Sequence, residues 1–254
     1  MGAIDSTNEE GRRRALAGEA DRMWIVAEEQ TAGKGRRGRA WISPRGNLYA
    51  SCVMIDPCPR SVGAQLGFVA GVALARAARD LGATEVGLKW PNDLMSHGAK
   101  SAGVLVEGIA LGGGRAACVV GVGVNCAEAP NGLSYPTSCL TREGGHEVGP
   151  SEVFDRLVQR FGEALDIWRA GEAFDRIRAL WLDYALGLGE RIAIKNGADQ
   201  REGMFEGIDA TGRLLMRSED GLETIEAADL WLMPGSGARP RPALWASHRP
   251  KGPI

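Results

Sequence analysis

The segment Gly33–Arg39 most constrains how this chain can fold, because it concentrates four fixed positive charges and three glycines in seven residues. A packed core cannot hold that composition, since unpaired charges are costly to remove from water. The segment follows a short apolar run, Met23–Ala27, and precedes Trp41. We therefore expect a surface loop that leaves a buried strand and presents cations, bare amides and an aromatic face. Such a loop suits a doubly anionic small ligand, such as a carboxylate meeting a phosphate.

The positive charge is local to this loop. The 254 residues include 30 Lys and Arg against 32 Asp and Glu, so the chain lacks the net basic balance of a dedicated nucleic-acid-binding domain. Five cysteines without a CxxC pair indicate reduced thiols and a cytoplasmic location. Three scattered histidines give no metal-ligand spacing. No signal-peptide pattern or membrane-spanning apolar run is found in the sequence, so no membrane partner is expected.

Two regions of different texture are expected. In the first, Thr7 and Glu10 fit a capping box that starts a helix with Leu16 as a core contact. Val62–Leu81 predicts a largely buried helix, and Ser151 is expected to cap a later one. Further predicted elements are strands at 48–55, 86–90, 102–109 and 116–124, and helices at 151–168 and 172–185.

The texture changes after Gly189, where short β-like runs alternate with turn pairs. Spacing of this kind predicts a small β-barrel. We therefore expect a larger domain over residues 1–187, a small β domain over 188–234 and a flexible tail, rich in Pro, Gly and Arg, over 235–254.

Three phosphate- or nucleic-acid-binding interpretations are open, two for the basic loop and one for Lys100 and Ser101. The loop formally matches G-x-G-x-x-G, but a dinucleotide-binding turn needs a helix that begins within the motif. Pro44 and Gly46 follow soon after, so no helix starts there. A P-loop fails on spacing around Lys100 and Ser101. An RNA-contacting basic loop stays open as an alternative.

Three further constellations carry chemistry. Lys89–Asp93 places lysine, asparagine and aspartate at a strand end held by Pro91, although Asn-Asp after proline is also common in plain turns. Lys100 lies at the mouth of an apolar strand. Gly121–Asn125 has glycines where another group can approach the backbone closely.

Together with Asp5–Asn8 in front, these motifs in this order resemble the biotin protein ligases over nearly the whole chain, to about Met233. The resemblance implies an α+β fold: a mixed β-sheet with flanking helices, of the class II aminoacyl-tRNA synthetase and biotin/lipoyl ligase type, plus a C-terminal SH3-like β-barrel. It implies a short form without the N-terminal DNA-binding domain, and hence no repressor activity. The family's usual Gly-Arg-Gly-Arg loop has Lys34 at its second position here, which keeps the charge but loses the planar fork.

The resemblance also implies the reaction and its residues. Biotin is activated with ATP to biotinyl-5′-AMP, with Mg²⁺ and release of pyrophosphate, and is then passed to a lysine of a carrier protein such as the biotin carboxyl carrier domain of acetyl-CoA carboxylase. The implied catalytic residues are Arg36, Lys89, Lys100 and Asp93. The implied biotin-binding residues are Ser6, Thr7, Asn8, Gln30, Lys34, Gly35, Arg36 and Lys100. The implied nucleotide-binding residues are Arg36, Arg37, Trp41, Asn92 and Asn125, and no protein-held metal is expected.

Two other functions stay in view. A lipoate or octanoate transferase would share the fold, but its Arg-Arg-x-x-Gly-Gly-Gly-like signature is not found here. A non-enzymatic basic-loop nucleic-acid-binding module is the second, although no nucleic-acid partner is expected for a ligase of this form. Either a monomer or a homodimer is compatible with the sequence.

Overall fold

A computed structural model describes residues 1–19, 21–196, 199–226 and 228–233. Its centre is a six-stranded sheet with the strand order β2-β4-β8-β7-β6-β5. These strands are β2 Met23–Ala27, β4 Leu48–Ile55, β5 Val86–Lys89, β6 Asp93–Ser96, β7 Ala99–Gly112 and β8 Arg115–Val124. A separate short pair joins β1 Ala3–Ile4 to β3 Glu29–Gln30.

The α+β class is confirmed, and the pairing is more uniform than a mixed sheet suggests. Every neighbouring pair in the six-stranded sheet is antiparallel. In the described part of the chain, parallel pairing is confined to β1–β3 and to isolated bridges such as Leu88 with Ala185. The strands β7 and β8 are longer than predicted, because their ladder continues almost to the glycine turn at 112–114.

Helices cover both faces of this sheet. They are α1 Thr7–Leu16, α2 Leu66–Asp80, α3 Leu140–Gly144, α4 Pro150–Trp168 and α5 Phe174–Asp183. The helix α1 begins one residue earlier than the predicted capping box requires, because Ser6 is its N-cap and accepts from the Glu9 amide. Leu16 is 56% exposed and contributes nothing to the core, since it ends α1 on the solvent side. Gly149, rather than Ser151, is the N-cap of α4.

The large apolar core lies on the face of the sheet that α2, α4 and α5 cover. The segment Arg60–Asp80, a 3₁₀ turn followed by α2, is long enough to span a membrane and contains an 18-residue stretch with a mean hydropathy of 1.3. However, 72% of that 18-residue stretch is buried inside the protein. Its apolar character is therefore that of a core helix.

The second, C-terminal sheet has five antiparallel strands in the order β12-β11-β10-β9-β13. These are β9 Arg191–Asn196, β10 Asp199–Ile208, β11 Leu214–Ser218, β12 Gly221–Ile225 and β13 Asp229–Leu232. Its buried residues continue the large core without a break. One hydrogen bond across the junction is donated by the buried Trp90 Nε1 to the carbonyl of Gly212, at 3.0 Å. The predicted tail over 235–254 lies outside the described residues.

Candidate active site

A cavity of about 530 Å³ opens between the N-terminus of α1, the basic loop, the strands β7 and β8, and the C-terminal strand β13. Most of the predicted site residues meet here, although they come from separate parts of the chain. The cavity-lining residues among those predicted are Ser6, Thr7, Asn8, Gln30, Lys34, Gly35, Arg36, Trp41, Lys89, Asn92, Asp93 and Lys100.

The start of α1 forms one polar wall of the cavity. The Gln30 carbonyl oxygen accepts hydrogen bonds from the Thr7 backbone amide at 2.8 Å and the Thr7 hydroxyl at 3.1 Å. The other end of the Gln30 amide donates to the Ser43 hydroxyl at 3.0 Å. This pattern fixes which way the Gln30 amide points. The helix start predicted from the sequence is thus also a set of oriented polar groups.

Asn8 is held equally firmly. Its Nδ2 donates to Glu107 at 2.6 Å, and its Oδ1 lies 2.7 Å from the hydroxyl of the buried Ser51. A Cβ on Gly121 would lie 2.1 Å from that oxygen. Gly121 is therefore required for Asn8 to occupy this position, which is the close approach that the glycines of β8 predict.

The basic loop is a tight hairpin. Lys34 and Ala40 form an antiparallel bridge, and Arg36–Gly38 make a single 3₁₀ turn between them. Arg37 and Gly38 have φ angles of 57° and 71°, which are left-handed values that glycine adopts without strain and arginine does not. The expected surface loop is thus folded back on itself beside the cavity.

The charged side chains of the loop point toward different partners. Lys34 pairs with Glu9 of α1 at 2.6 Å, which raises the pKa of Lys34. Arg36 extends toward Asn92 at 3.4 Å. Burial lowers the pKa of the Arg36 guanidinium, although nearby Asp229 opposes this. A partly desolvated arginine facing a cavity interacts more strongly with an anionic ligand than an exposed one.

The outward arginines contact the C-terminal sheet. Arg39 lies 2.6 Å and Arg37 lies 3.6 Å from the carboxylate of Asp229, at the start of β13. Arg37 does not line the described cavity, in contrast to its predicted place among the nucleotide ligands. Asp229 was not predicted as a site residue, because nothing in its local sequence separates it from an ordinary surface aspartate.

A lysine–aspartate–lysine cluster lies opposite the loop. Asp93 accepts from Lys100 at 2.6 Å and lies 3.6 Å from Lys89. Burial lowers the pKa of Lys89, and Asp93 offsets part of that effect. All three side chains are less than a quarter exposed. Two cations around one carboxylate leave a net positive charge, as an anionic reaction centre requires.

Trp41 packs against glycines of the sheet. A Cβ on Gly123 would lie 2.6 Å from the indole, and a Cβ on Gly103 would lie 3.3 Å from it. The Lys100 ammonium lies 5.2 Å from the Trp41 ring centre and 5.7 Å from that of Tyr135. Tyr135, which lines the cavity from an irregular segment, was missed because no periodic pattern marks it.

Asn125 does not line the cavity as the prediction requires, since its side chain turns toward the backbone. Its Nδ2 donates to the carbonyls of Ser138 at 2.9 Å and Lys100 at 3.4 Å. It thereby fixes the chain next to Lys100. Its Oδ1 is buried and has no hydrogen-bond partner among the described residues. It directly follows β8, where it continues the two-residue alternation of Gly121 and Gly123.

Two family profiles match the chain. The profile of the Biotin/lipoate A/B protein ligase family matches residues 3–125, and that of the Biotin protein ligase C terminal domain matches residues 187–231. The Biotin--[acetyl-CoA-carboxylase] ligase of Paracoccus denitrificans is 40% identical over 247 residues, which span 91% of this chain and 98% of that protein. This chain belongs to the biotin protein ligase family. The Escherichia coli bifunctional ligase/repressor BirA is 32% identical, over 86% of this chain and 68% of that protein.

Solved structures of biotin protein ligases share the fold. A biotin protein ligase from Aquifex aeolicus, in complex with biotin and ATP, matches with a TM-score of 0.78 and 27% identity, over 91% of this chain and 96% of that one. The match includes both the large sheet and the C-terminal sheet, which confirms the family resemblance drawn from the motifs.

Proposed function

We propose that this biotin protein ligase activates biotin with ATP and transfers the biotinyl group to a lysine of a carrier protein. One observation carries the proposal: a single cavity joins an oriented polar wall to a cluster of partly buried cations. The Paracoccus relative is named for acetyl-CoA-carboxylase, and the Aquifex structure holds biotin and ATP. The chemistry of this cavity fits the same pair of small substrates.

The first step brings together two anions. The biotin carboxylate oxygen attacks the α-phosphorus of ATP, the bond to the β-phosphate oxygen breaks, and pyrophosphate leaves. Arg36, Lys89 and Lys100 line the cavity from two sides, and their charges would offset the repulsion and stabilise the added negative charge of the transition state. Asp93 keeps both lysines near that centre through its ion pairs.

The polar wall suits the ring end of biotin. Its ureido group carries one acceptor oxygen and two N–H donors. Thr7, Asn8 and Gln30 supply hydroxyl and amide groups that are already oriented by the protein, with Ser6 beside them. Lys34 and Gly35 border the same cavity. Lipoate and octanoate have no ureido group, so this wall favours biotin over those acids.

The nucleotide would occupy the other side of the cavity. Trp41 and Tyr135 offer aromatic faces, and Asn92 accepts from Arg36 while it donates to the carbonyl of Val104. The arginine loop would close over the mixed anhydride, since acyl-adenylates hydrolyse readily and water must be excluded.

Mg²⁺ would accompany ATP. The cavity offers two carboxylates, Asp93 and Asp229, and Mg²⁺ is usually held by one or two carboxylates together with substrate phosphates. The residues therefore fit a nucleotide-borne ion. When bound, Mg²⁺ would neutralise charge on the triphosphate.

In the second step the acceptor lysine, as a free amine, attacks the acyl carbon. The amide bond forms, AMP leaves, and one proton is released. Asp93, which lines the cavity between Lys89 and Lys100, would accept or orient that proton. The partner is a biotin-accepting carrier protein, for which a carboxylase carrier domain is the expected acceptor. The oligomeric state, monomer or homodimer, stays a prediction. The absence of a nucleic-acid partner also stays a prediction.

The test uses the purified full chain with Mg²⁺, ATP labelled at the α-phosphate, and biotin. We expect biotinyl-5′-AMP to form only with biotin, and the label to be lost as AMP when a biotin carboxyl carrier domain is added. Lipoate and octanoate serve as matched acids. Adenylate formation from either of them at the biotin rate would contradict the proposal, as would retention of nucleic acid at moderate salt without adenylate synthesis.

A further inference from the structure

We propose that Ser51 is a positioning residue for biotin recognition: it is the shared hydrogen-bond donor that determines which acceptor at the start of α1 is free for a ureido N–H. The proposal rests on the proposed function and deepens it. Ser51 lies in the middle of β4 and is fully buried. It does not line the cavity, so it would act through the residues that do.

The geometry places one donor between two acceptors. The Ser51 hydroxyl oxygen lies 2.8 Å from Thr7 Oγ1 and 2.7 Å from Asn8 Oδ1. Both of those residues line the cavity and are only 4% exposed. Two cavity groups from consecutive helical residues therefore share one buried hydroxyl.

The Ser51 hydroxyl cannot serve both acceptors at once. A serine hydroxyl has one hydrogen to donate. The Thr7 hydroxyl hydrogen can be used toward Gln30, whose oxygen lies 3.1 Å away. The Ser51 hydrogen can then satisfy either Thr7 Oγ1 or Asn8 Oδ1, and the other oxygen keeps a free lone pair.

The surrounding groups keep both acceptors in place. Glu107 accepts from Asn8 Nδ2 at 2.6 Å, which forces the Asn8 carbonyl oxygen toward Ser51. Ser51 and Gly121 face each other across the β4–β8 ladder, and the missing side chain of Gly121 leaves the space for that oxygen. The Asn8 amide therefore cannot present its NH₂ group to the cavity without losing the bond to Glu107.

Biotin binding fits this arrangement. When a ureido N–H donates to one of the two oxygens, the Ser51 hydroxyl rotates to the other. In the empty site the Ser51 hydroxyl can donate to Asn8 Oδ1, while the Thr7 hydroxyl keeps its own hydrogen bond to Gln30. Neither buried group is then unpaired, and Thr7 Oγ1 still has a lone pair that can accept from the ligand. Ser51 is thus a determinant of preference for a ligand with N–H donors.

The test compares Ser51→Ala with Ser101→Ala. Ser101 is an equally buried serine on β7, two strands away from β4 in the same sheet, and its hydroxyl has no partner among the described residues. We expect Ser51→Ala to raise the KM for biotin about tenfold, the size of one buried hydrogen bond, with kcat for adenylate synthesis within about twofold of wild type. Ser101→Ala should leave both constants unchanged.

A second substrate separates positioning from general loss of structure. Biotin methylated at one ureido nitrogen, each nitrogen in turn, lacks one N–H donor. The preference of the wild type for biotin over one of these analogues should fall about tenfold in Ser51→Ala. Equal shifts for biotin and both analogues, or an unchanged KM for biotin, would overturn the proposal.

A third variant covers the case in which Ser51→Ala does not fold. Ser51→Cys keeps the side-chain shape with a somewhat larger atom, and it replaces a strong O–H donor with a weak S–H donor. We expect it to shift the same two quantities in the same direction by a smaller factor. Wild-type values in a folded Ser51→Cys enzyme would refute the role of the donor. If the wild type itself forms no biotinyl-5′-AMP, the proposed function fails instead, which is a separate result.

Discussion

The two faces of the six-stranded sheet are built from the same strands but have different roles: one packs the core and the other lines the cavity. Along β8, Cys118, Val120, Val122 and Val124 point into the large core that α2, α4 and α5 cover. The alternate positions carry Ala117 and Val119 in a small cluster under α1, and then Gly121 and Gly123, which line the cavity. On this second face of β8, the side chains near the start of the strand pack under α1, and the positions near its end belong to the cavity.

The two faces differ in how much side-chain volume they tolerate. On the core face every alternate residue fills space, and the free energy of folding comes from apolar burial. On the cavity face Gly121 and Gly123 have no side chains, so Asn8 and the Trp41 ring can approach the backbone. The function of the cavity face depends on space and charge, and it is stabilised by the packing behind it.

The largest expected effect belongs to the core face. Leu157 on α4 is fully buried, so Leu157→Ala should lower the free energy of unfolding by about 2–5 kcal/mol. The exposed Leu16→Ala should change it by less than about 0.5 kcal/mol. Chemical denaturation measures both. A changed KM for biotin in folded Leu157→Ala would show that the two faces are not independent.

The next effect belongs to the charge of the cavity face. Arg36→Ala should slow biotinyl-5′-AMP synthesis by about 10²–10³-fold and increase its release, because a preorganised cation is lost at the reaction centre. The unfolding midpoint should barely move. Arg176, exposed on α5 and away from the cavity, provides the matched control. Unchanged biotin transfer by Arg36→Ala would refute the assignment of this charge.

ATP affinity measured over a range of pH tests the charge of the cavity face, since that face holds partly buried cations. Burial lowers the pKa of Lys89 from its ordinary 10.5. A bound triphosphate favours the ammonium form, so ATP affinity should fall as pH rises through the lowered pKa, by at most about tenfold per pH unit for one proton. In that window the unfolded chain binds more protons at this lysine, so its contribution to stability rises with pH. Unfolding through Lys89 therefore cannot explain the fall.

Lys89→Arg gives the control for this series. An arginine stays charged throughout the range, so its ATP affinity should be flat where the wild type declines. Calorimetric titration in two buffers of different ionisation enthalpy would also reveal proton uptake by the wild type alone. The same decline in Lys89→Arg would assign the pH response to another group.

The smallest expected effect concerns the link between the loop and the C-terminal sheet. Asp229 is about a third exposed, and surface ion pairs contribute about 0.2–1 kcal/mol. Asp229→Asn should therefore speed amide exchange over residues 34–40 and raise adenylate leakage by no more than about fivefold. Glu206→Gln, which breaks an exposed pair with Arg217 inside the C-terminal sheet, is the control. Equal exchange in the two variants would contradict a link through Asp229.

Much of the site could be predicted because its motifs are local. The Gly33–Arg39 loop, Lys89–Asp93 and Lys100 combine residue types that a plain turn or strand seldom needs, and the structure brings them to one cavity. Helix ends are harder to predict: Ser6, and not Thr7, is the N-cap of α1, and Leu16 is exposed and not part of the core, because both residues lie at a helix terminus, where boundaries shift by one or two residues.

The family, the chemical character of the cavity and the existence of both sheets follow from the sequence, since charge clusters, glycines and alternating apolar residues act over a few positions. The roles of Asp229, Tyr135, Ser51 and Glu107 depend on how the chain packs. Each of these is an ordinary residue in its own segment and gains its partner from another, as Glu107 does from Asn8 across 99 positions. Hydrogen bonds and ion pairs depend on distances of about 3 Å, and those distances are set by how strands and helices pack.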